Sequence, residues 1–227
     1  DVIPGHLHDR RTLVIKQPVG VVASITPWNF PSAMLARKVG PALATGCSLV
    51  CKPAKQTPFS ALALAYLAEQ AGLPKGLLNV LTGNAQNIGK TLTDSELVRK
   101  LTFTGSTEIG KMLLEECAKT VKRVSMELGG HAPFIVFEDA DIEAAIAGAI
   151  AAKYRNTGQT CVCANRIYVH QDIYEKFSEG FAKEAGKIQT GQGFDPSADQ
   201  GPLIDEAALA KVEEHVADAK NHGGEIT

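Results

Sequence analysis

The residues best suited to chemistry lie in one short segment, Asn156-Thr-Gly-Gln-Thr-Cys161-Val-Cys163. Cys161 follows a turn that Gly158 is expected to supply between a predicted helix and a predicted strand, where a substrate can approach closely. A cysteine attacks carbonyl carbon as a thiolate, which needs a base or positive surroundings. The segment alone favours a buried turn cysteine, and a nucleophile is the alternative. It predicts no metal site, because a C-x-C pair lacks the second ligand pair that zinc needs.

Two other motifs carry groups that could assist a thiolate. In Ser125-Met-Glu127-Leu-Gly-Gly130 a carboxylate ends a predicted strand beside glycines that permit close backbone approach, which suits a general base. A surface glutamate is the simpler interpretation. In Pro27-Trp-Asn29-Phe-Pro the Asn29 amide could donate to an oxyanion or cap the helix that follows. These roles compete for one side chain, and only geometry separates them.

Two motifs suit a nucleotide. Phe103-Thr-Gly105-Ser106 predicts a strand, a glycine turn and a helix N-terminus, which together form an anion site for a pyrophosphate. Residues 105–111 also fit the P-loop pattern, but Met112 stands where a P-loop needs a hydroxyl for magnesium, so a nucleotide triphosphatase is disfavoured. In Lys52-Pro-Ala-Lys55, one lysine could bind ribose hydroxyls and the other a phosphate.

The elements that must position these motifs alternate between short apolar strands and helices. Such alternation predicts an α/β fold with a parallel sheet and right-handed crossovers, and the motifs fall at the carboxyl ends of the strands, where ligands bind in such sheets. This sequence pattern of alternating strands and helices changes after Val121, and we place a domain boundary near residue 127. Residues 12–15 could form half of a hairpin whose partner strand is missing or lies elsewhere.

Composition excludes several classes of function. The net charge of −2 predicts no general attraction to nucleic acid, and no apolar run approaches the roughly 20 residues that span a bilayer. The five cysteines are too few and too irregularly spaced for a disulfide scaffold. The chain opens without a Met or a signal-like stretch, so we expect it to begin within a longer protein.

The order of these motifs resembles that in the aldehyde dehydrogenase superfamily. The local sequence at residues 156–165 and 132–137 is similar to that of its succinate-semialdehyde dehydrogenase branch. The resemblance implies that Cys161 attacks the aldehyde to give a thiohemiacetal, whose oxyanion is held by the Asn29 amide and the Cys161 N–H. Hydride transfer to NADP or NAD leaves a thioester, and Glu127 activates the water that hydrolyses it. A non-catalytic cofactor-binding fragment, a glutarate-semialdehyde dehydrogenase and an acylating dehydrogenase are the alternatives.

The same resemblance implies binding roles for further residues. Arg37 and Arg155 bind the distal carboxylate of the aldehyde, since a bidentate guanidinium selects such a substrate. Lys55 stands where NAD-selective relatives often have Glu, which favours NADP over NAD. A bond between Cys161 and Cys163 could act as a redox switch. The residues implied to bind the cofactor are Ile25, Thr26, Pro27, Trp28, Lys52, Ala54, Lys55, Gly83, Gly105, Ser106 and Leu128.

The resemblance finally implies an organisation. Residues 1–18 correspond to a remnant of an oligomerisation hairpin, residues 19–126 to a Rossmann-like NAD(P)-binding domain, and residues 127–227 to the first part of an α/β catalytic domain. The chain is about half the expected family length, and we expect the full-length protein to be a cytoplasmic homo-oligomer.

Overall fold

The computed structural model describes residues 1–226 and divides the chain into two compact units. The first unit is Asp1–Leu128, and the second begins at Gly129. None of the helices in the described residues has the length and apolar character that a bilayer crossing requires.

The first unit opens with a hairpin that sequence reasoning found only in part. Strand β1 (Val2–Pro4) pairs antiparallel with β2 (Arg11–Leu13), and Ile3 lies opposite Thr12. The expectation that the partner strand was missing or distant was therefore wrong. Strand β1 is short, exposed and ends in a proline, which is tolerated at strand edges and gives little sequence signal.

Five parallel strands form the sheet of the first unit, with helices between them. In chain order these elements are β3 (Val21–Ile25), α1 (Pro31–Ala44), β4 (Leu49–Lys52), α2 (Phe59–Gln70), β5 (Leu78–Val80), α3 (Ala85–Asp94), β6 (Val98–Thr104), α4 (Thr107–Ala118) and β7 (Arg123–Glu127). The predicted parallel α/β sheet is confirmed, with strand order β5-β4-β3-β6-β7.

This strand order creates a crevice at one edge of the sheet. The chain runs outward from β3 through β4 to β5, returns to β6 beside β3, and continues to β7. The order therefore reverses between β3 and β6, where the two flanking crossovers leave opposite faces of the sheet. Ligands of open α/β sheets bind at the carboxyl ends of the strands at such a switch point.

Side-chain packing fixes the strands on both faces. One core cluster includes Leu35, Leu49 and Cys51, and the other includes Leu101 and Leu113. Burial of these apolar side chains is the main stabilising contribution, at about 1.5–3 kcal/mol for each large aliphatic side chain. The sheet is therefore a rigid base for the residues at its carboxyl edge.

The second unit contains a smaller parallel pair of strands covered by helices. Its elements are β8 (Ala132–Val136), α5 (Ile142–Tyr154), a 3-10 turn (Arg155–Gly158), β9 (Ala164–Val169), a second 3-10 turn (Gln171–Ile173), α6 (Tyr174–Ala185) and α7 (Glu206–Asn221). Strands β8 and β9 pair in parallel around the core of Val136, Ile146 and Phe177. Asp141 caps α5 by accepting the Ala144 N–H at 3.1 Å.

Candidate functional site

The carboxyl edge of the large sheet brings several candidate residues together. The Thr26 N–H, just beyond β3, donates to the Lys52 carbonyl at 3.2 Å, and the Gly105 N–H, just beyond β6, donates to the Glu127 carbonyl at 3.0 Å. These bonds extend the sheet past its regular strands. They place Thr26, Lys52, Gly105 and Glu127 along one edge, as the parallel topology requires.

A cleft of about 360 Å³ opens between α3 and α4 at this edge. Among its lining residues, only Ile25 and Lys52 were predicted from the sequence to bind a cofactor. Sequence reasoning missed the helical residues that complete the lining, because the motif at the start of α4 does not indicate which helix faces meet, and the cleft exists only once the two helices pack together. These lining residues are Ala85, Gln86, Gly89, Lys90, Thr93, Ile109, Met112, Leu113 and Glu116.

The two lysines of the Lys52-Pro-Ala-Lys55 motif differ in environment. Lys52 is buried and lines the cleft, and burial, together with the positive charge of Lys55, lowers the pKa of its ammonium group. Lys55 is exposed, and Ala54 between them is half-buried. A buried cation at the wall of a cleft suits a polar ligand group, because ligand oxygen atoms would compensate its lost hydration.

The start of α4 has the geometry expected for an anion site. Ser106 caps the helix by accepting the Ile109 N–H at 3.4 Å, and Gly105 links the strand to the cap. The first N–H groups of a helix attract negative charge through their partial positive charge. Gly83, another predicted contact, is exposed and has a φ of 145°, a conformation that few residues other than glycine adopt.

The Asn29 side chain does not cap helix α1. The cap position is Phe30, whose side chain makes no capping bond, and the Asn29 Oδ1 atom accepts the Phe30 N–H at 3.1 Å. The capping alternative from the sequence is therefore wrong. Pro31 explains this, since its fixed φ begins the helix without a side-chain cap. The bond from Phe30 restrains the orientation of the Asn29 amide.

Remaining predicted residues of the first unit lie in varied surroundings. Pro27 and Trp28 are half-buried after β3, and the Trp28 carbonyl accepts the Thr57 hydroxyl at 3.3 Å. Leu128 packs against α4 at Gly110, where an added Cβ would meet its Cδ2 atom. Arg37 is exposed on α1.

One buried lysine in this unit escaped sequence reasoning. Lys38 lies on α1 with its ammonium donating to the Thr102 hydroxyl at 3.1 Å. Burial lowers its pKa, while the negative charge of Glu127 opposes that shift. A lysine next to Arg37 in a helix has no sequence signal for burial, because the helix face that meets the sheet is set by packing.

The segment that carries Cys161 has an unusual backbone. Helix α5 ends at Tyr154, and Asn156, Thr157 and Gly158 have φ values of 53°, 59° and 72°. The prediction that Gly158 supplies the turn was therefore incomplete, because Asn156 and Thr157 share the left-handed conformation. Asn adopts the left-handed region with little strain, but a β-branched threonine does so rarely. Arg155, the predicted carboxylate ligand, is exposed at the start of this turn.

Hydrogen bonds around Cys161 leave one backbone donor without an acceptor. The Gln159 N–H donates to the Asn156 carbonyl at 3.1 Å, and the Thr160 N–H donates to the Gly158 carbonyl at 3.0 Å. Thr160 then accepts the next two N–H groups of the loop after Cys161, through its hydroxyl and its carbonyl. Within residues 1–226 no hydrogen bond from the Cys161 N–H is found, so this group can donate to a ligand.

The two cysteines of the C-x-C pair differ in exposure. Cys161 is exposed, whereas Cys163 is only 2% exposed and its thiol donates to the Lys153 carbonyl at 3.2 Å. No disulfide joins any of the five cysteines, all of which lie in the described part of the chain. Cys161 is thus the thiol that solvent can reach.

Two other features of the structure lie apart from these residues. A cleft of about 1070 Å³ near the amino ends of the strands of the first unit is lined by several cations, including Arg99 and Lys122, and by none of the predicted site residues. The second unit has three side chains whose potential metal-binding atoms lie within 4.8 Å of one another, those of Glu138, His170 and Asp172, but all three residues are exposed. The His170 ring also accepts the Asp172 N–H at 3.4 Å, which is a local turn interaction.

Comparison with known proteins gives consistent matches over this chain. Succinate-semialdehyde dehydrogenase [NADP(+)] GabD of Escherichia coli is 61% identical over 226 residues, which cover 100% of this chain and 47% of that protein. Glutarate-semialdehyde dehydrogenase of Pseudomonas aeruginosa is 60% identical over 226 residues, which again cover 100% of this chain and 47% of that protein. A crystal structure of an E. coli NADP-dependent enzyme superposes with a TM-score of 0.96 at 61% identity, covering 98% of this chain and 46% of the other.

The chain therefore spans about half the length of the curated relatives it matches. The family model described as the aldehyde dehydrogenase family matches residues 1–227. The resemblance inferred from the order of the motifs is confirmed, and the chain belongs to the aldehyde dehydrogenase family.

Proposed function

We propose that this chain forms part of an enzyme that oxidises a carboxylate-bearing aldehyde to the acid with NADP, using Cys161 as the nucleophile. The observation that supports this most concerns residues 156–163, the Cys161 loop. This loop presents an exposed thiol beside a backbone N–H that has no acceptor among the described residues. A nucleophile and an oxyanion donor on one residue are the minimum that addition to a carbonyl requires.

In the proposed reaction the Cys161 thiolate adds to the aldehyde carbon and forms a thiohemiacetal. Its oxyanion accepts hydrogen bonds from the Cys161 N–H and the Asn29 amide, which would lower the barrier by about 3–4 kcal/mol for each well-placed donor. The bound nicotinamide supplies the acceptor for the hydride that this carbon loses. Glu127 then takes a proton from the water that attacks the thioester, which releases the acid and restores the thiol.

The carboxyl edge of the sheet has features that fit a dinucleotide. The cleft between α3 and α4 has the size and the apolar side chains, such as Ile109 and Met112, that suit an adenine ring. Lys52 at its wall would bind ribose hydroxyls, and the α4 N-terminus at Ser106 would bind the pyrophosphate. We assign the other predicted contacts, Ile25, Thr26, Pro27, Trp28, Ala54, Gly83, Gly105 and Leu128, to the same ligand.

We favour NADP over NAD because of Lys55. This exposed lysine lies three residues beyond Lys52, where its charge would attract a 2′-phosphate on the ribose that Lys52 binds. The name of the E. coli relative specifies NADP, which agrees with this choice.

For the substrate we propose succinate semialdehyde, with glutarate semialdehyde as the second candidate because one relative carries that name. Arg155 lies six residues before Cys161, and Arg37 lies on α1; both are exposed. Their guanidinium groups would bind the distal carboxylate and select against neutral aldehydes. Cys163 would have to leave its bond to the Lys153 carbonyl before it could form the proposed redox bond with Cys161.

Turnover of the purified chain tests this proposal. Formation of reduced cofactor is followed by its absorbance with succinate semialdehyde and NADP, and a neutral aldehyde of equal length serves as the comparison. We expect turnover that Cys161→Ser abolishes and Cys163→Ser retains. Cofactor binding without any turnover would contradict the catalytic proposal for this chain and favour a cofactor-binding module.

A further inference from the structure

We propose that Thr157 and Gln159 are positioning residues that hold the Cys161 loop on the segment of residues 201–204. The inference rests on the proposed function, because it assigns to these side chains the task of orienting the Cys161 N–H toward an oxyanion. Neither residue contacts the reacting atoms in this scheme; both act through the loop that carries them.

The loop needs an external restraint because its backbone is strained. Asn156, Thr157 and Gly158 lie in the left-handed region one after another. For a β-branched residue this conformation costs about 1–2 kcal/mol. Such strain persists only where neighbouring structure enforces it. An unrestrained loop would relax away from the conformation that leaves the Cys161 N–H without an acceptor.

Two long-range hydrogen bonds supply this restraint. The Thr157 hydroxyl donates to the Gly201 carbonyl at 2.8 Å, and the Gln159 Oε1 atom accepts the Ile204 N–H at 2.9 Å. These bonds join the loop to residues more than 40 positions away along the chain. Gln159 also donates to the Asn156 carbonyl at 3.1 Å, so one side chain braces both ends of the turn.

The receiving segment is itself anchored. The Gln200 carbonyl accepts the Gly191 N–H at 2.9 Å, and the Gln189 N–H donates to the Asp199 carboxylate at 2.9 Å. These bonds fix the backbone just before Gly201. The loop is therefore held by a segment whose preceding residues, 199 and 200, have hydrogen bonds of their own.

On its other side the loop meets the backbone at Gly130. A Cβ atom added there would lie 2.8 Å from the Cys161 carbonyl oxygen, closer than real side chains approach. The glycine lets the two backbones approach, and their contact limits movement of the Cys161 peptide in that direction. Restraints on both sides would fix the orientation of the Cys161 N–H.

The test compares two reactions of the same thiol. In acylation by para-nitrophenyl acetate, the thiolate attacks the ester carbonyl, an oxyanion forms, and nitrophenolate leaves as the acetyl thioester is made. Alkylation by iodoacetamide displaces iodide and forms no oxyanion. The ratio of the two rates at Cys161 therefore cancels changes in exposure and thiolate fraction, and reports the oxyanion donor.

We expect Thr157→Val to lower the acylation-to-alkylation ratio about tenfold, because a displaced donor loses much of its effect. Thr157→Ser keeps the hydroxyl and should retain the ratio within about twofold of the unsubstituted chain. The second bond gives an independent pair: Gln159→Met should lower the ratio, and Gln159→Glu, which keeps an acceptor for the Ile204 N–H, should lower it less. Circular dichroism confirms that each variant is folded.

The outcomes separate this inference from the proposed function. An unchanged ratio in folded Thr157→Val and Gln159→Met would overturn the positioning role alone. The unsubstituted chain is also measured folded and unfolded in guanidinium. If the acylation-to-alkylation ratio at Cys161 is no higher in the folded chain than in the unfolded chain, both the oxyanion site and the positioning role are wrong. Retention of the ratio in Thr157→Ser, beside its loss in Thr157→Val, would support the role of the hydroxyl specifically.

Discussion

The structure predicts that one of the five thiols reacts far faster than the others. Cys47, Cys51, Cys117 and Cys163 are each at most 2% exposed, whereas Cys161 is exposed. A buried thiol reacts only when the surrounding structure opens. For opening that costs about 5 kcal/mol, the rate falls by roughly 10³–10⁴-fold.

Cys51 should be the slowest of the buried thiols. Burial raises its pKa to about 12, so its thiolate fraction at mildly alkaline pH is also very small. Burial raises the pKa of Cys117 in the same direction. Both effects widen the separation between Cys161 and these core cysteines.

The assay is a time course with Ellman's reagent on the native chain, followed by mass spectrometric mapping of the labelled peptide. We expect one fast equivalent that Cys161→Ser removes and Cys163→Ser preserves. Guanidinium should release the remaining four together. Two or more fast equivalents in the native chain, or a fast equivalent on another cysteine, would refute this description of the loop.

Three further predictions concern the first unit. Val121 is 88% exposed with a φ of 52°, so Val121→Asn should raise the free energy of unfolding by about 1 kcal/mol, measured in urea, and no gain would contradict the assigned strain. Burial lowers the pKa of Lys38 below 10.5, so the unfolded chain binds more protons between the two pKa values and stability rises with pH there. Lys38→Met should remove that rise, and parallel pH profiles of the two proteins would refute the shift. Lys55→Glu should weaken NADP binding at least tenfold while NAD binding holds or improves, measured by calorimetry; equal loss for both cofactors would exclude a phosphate contact.

The features that sequence reasoning could predict were those encoded locally. Alternation of short apolar strands and helices gave the parallel sheet, because buried strands and amphipathic helices each have a distinct residue pattern. The glycine and serine before α4 identified a helix N-terminus, and Ser106 does cap it. The order of five motifs gave the family.

Features that depend on tertiary packing could not be predicted from the sequence. The cleft between α3 and α4 forms from helix faces whose packing no motif encodes, and Lys38 is buried only because its side of α1 meets the sheet. The left-handed conformation of Thr157 opposes its intrinsic preference, and bonds to residues distant in sequence enforce it. Asn29 could not be assigned between two roles, because both use the same residue types.

The most direct test of the central proposal is mass spectrometry of the chain after incubation with succinate semialdehyde and NADP and rapid quenching in acid. We predict a succinyl group on the peptide that contains Cys161, dependent on NADP and absent from Cys161→Ser. Glu127→Gln should increase its amount, because hydrolysis of the thioester loses its base. Turnover without any adduct on Cys161, or an adduct on a different residue, would contradict Cys161 as the nucleophile.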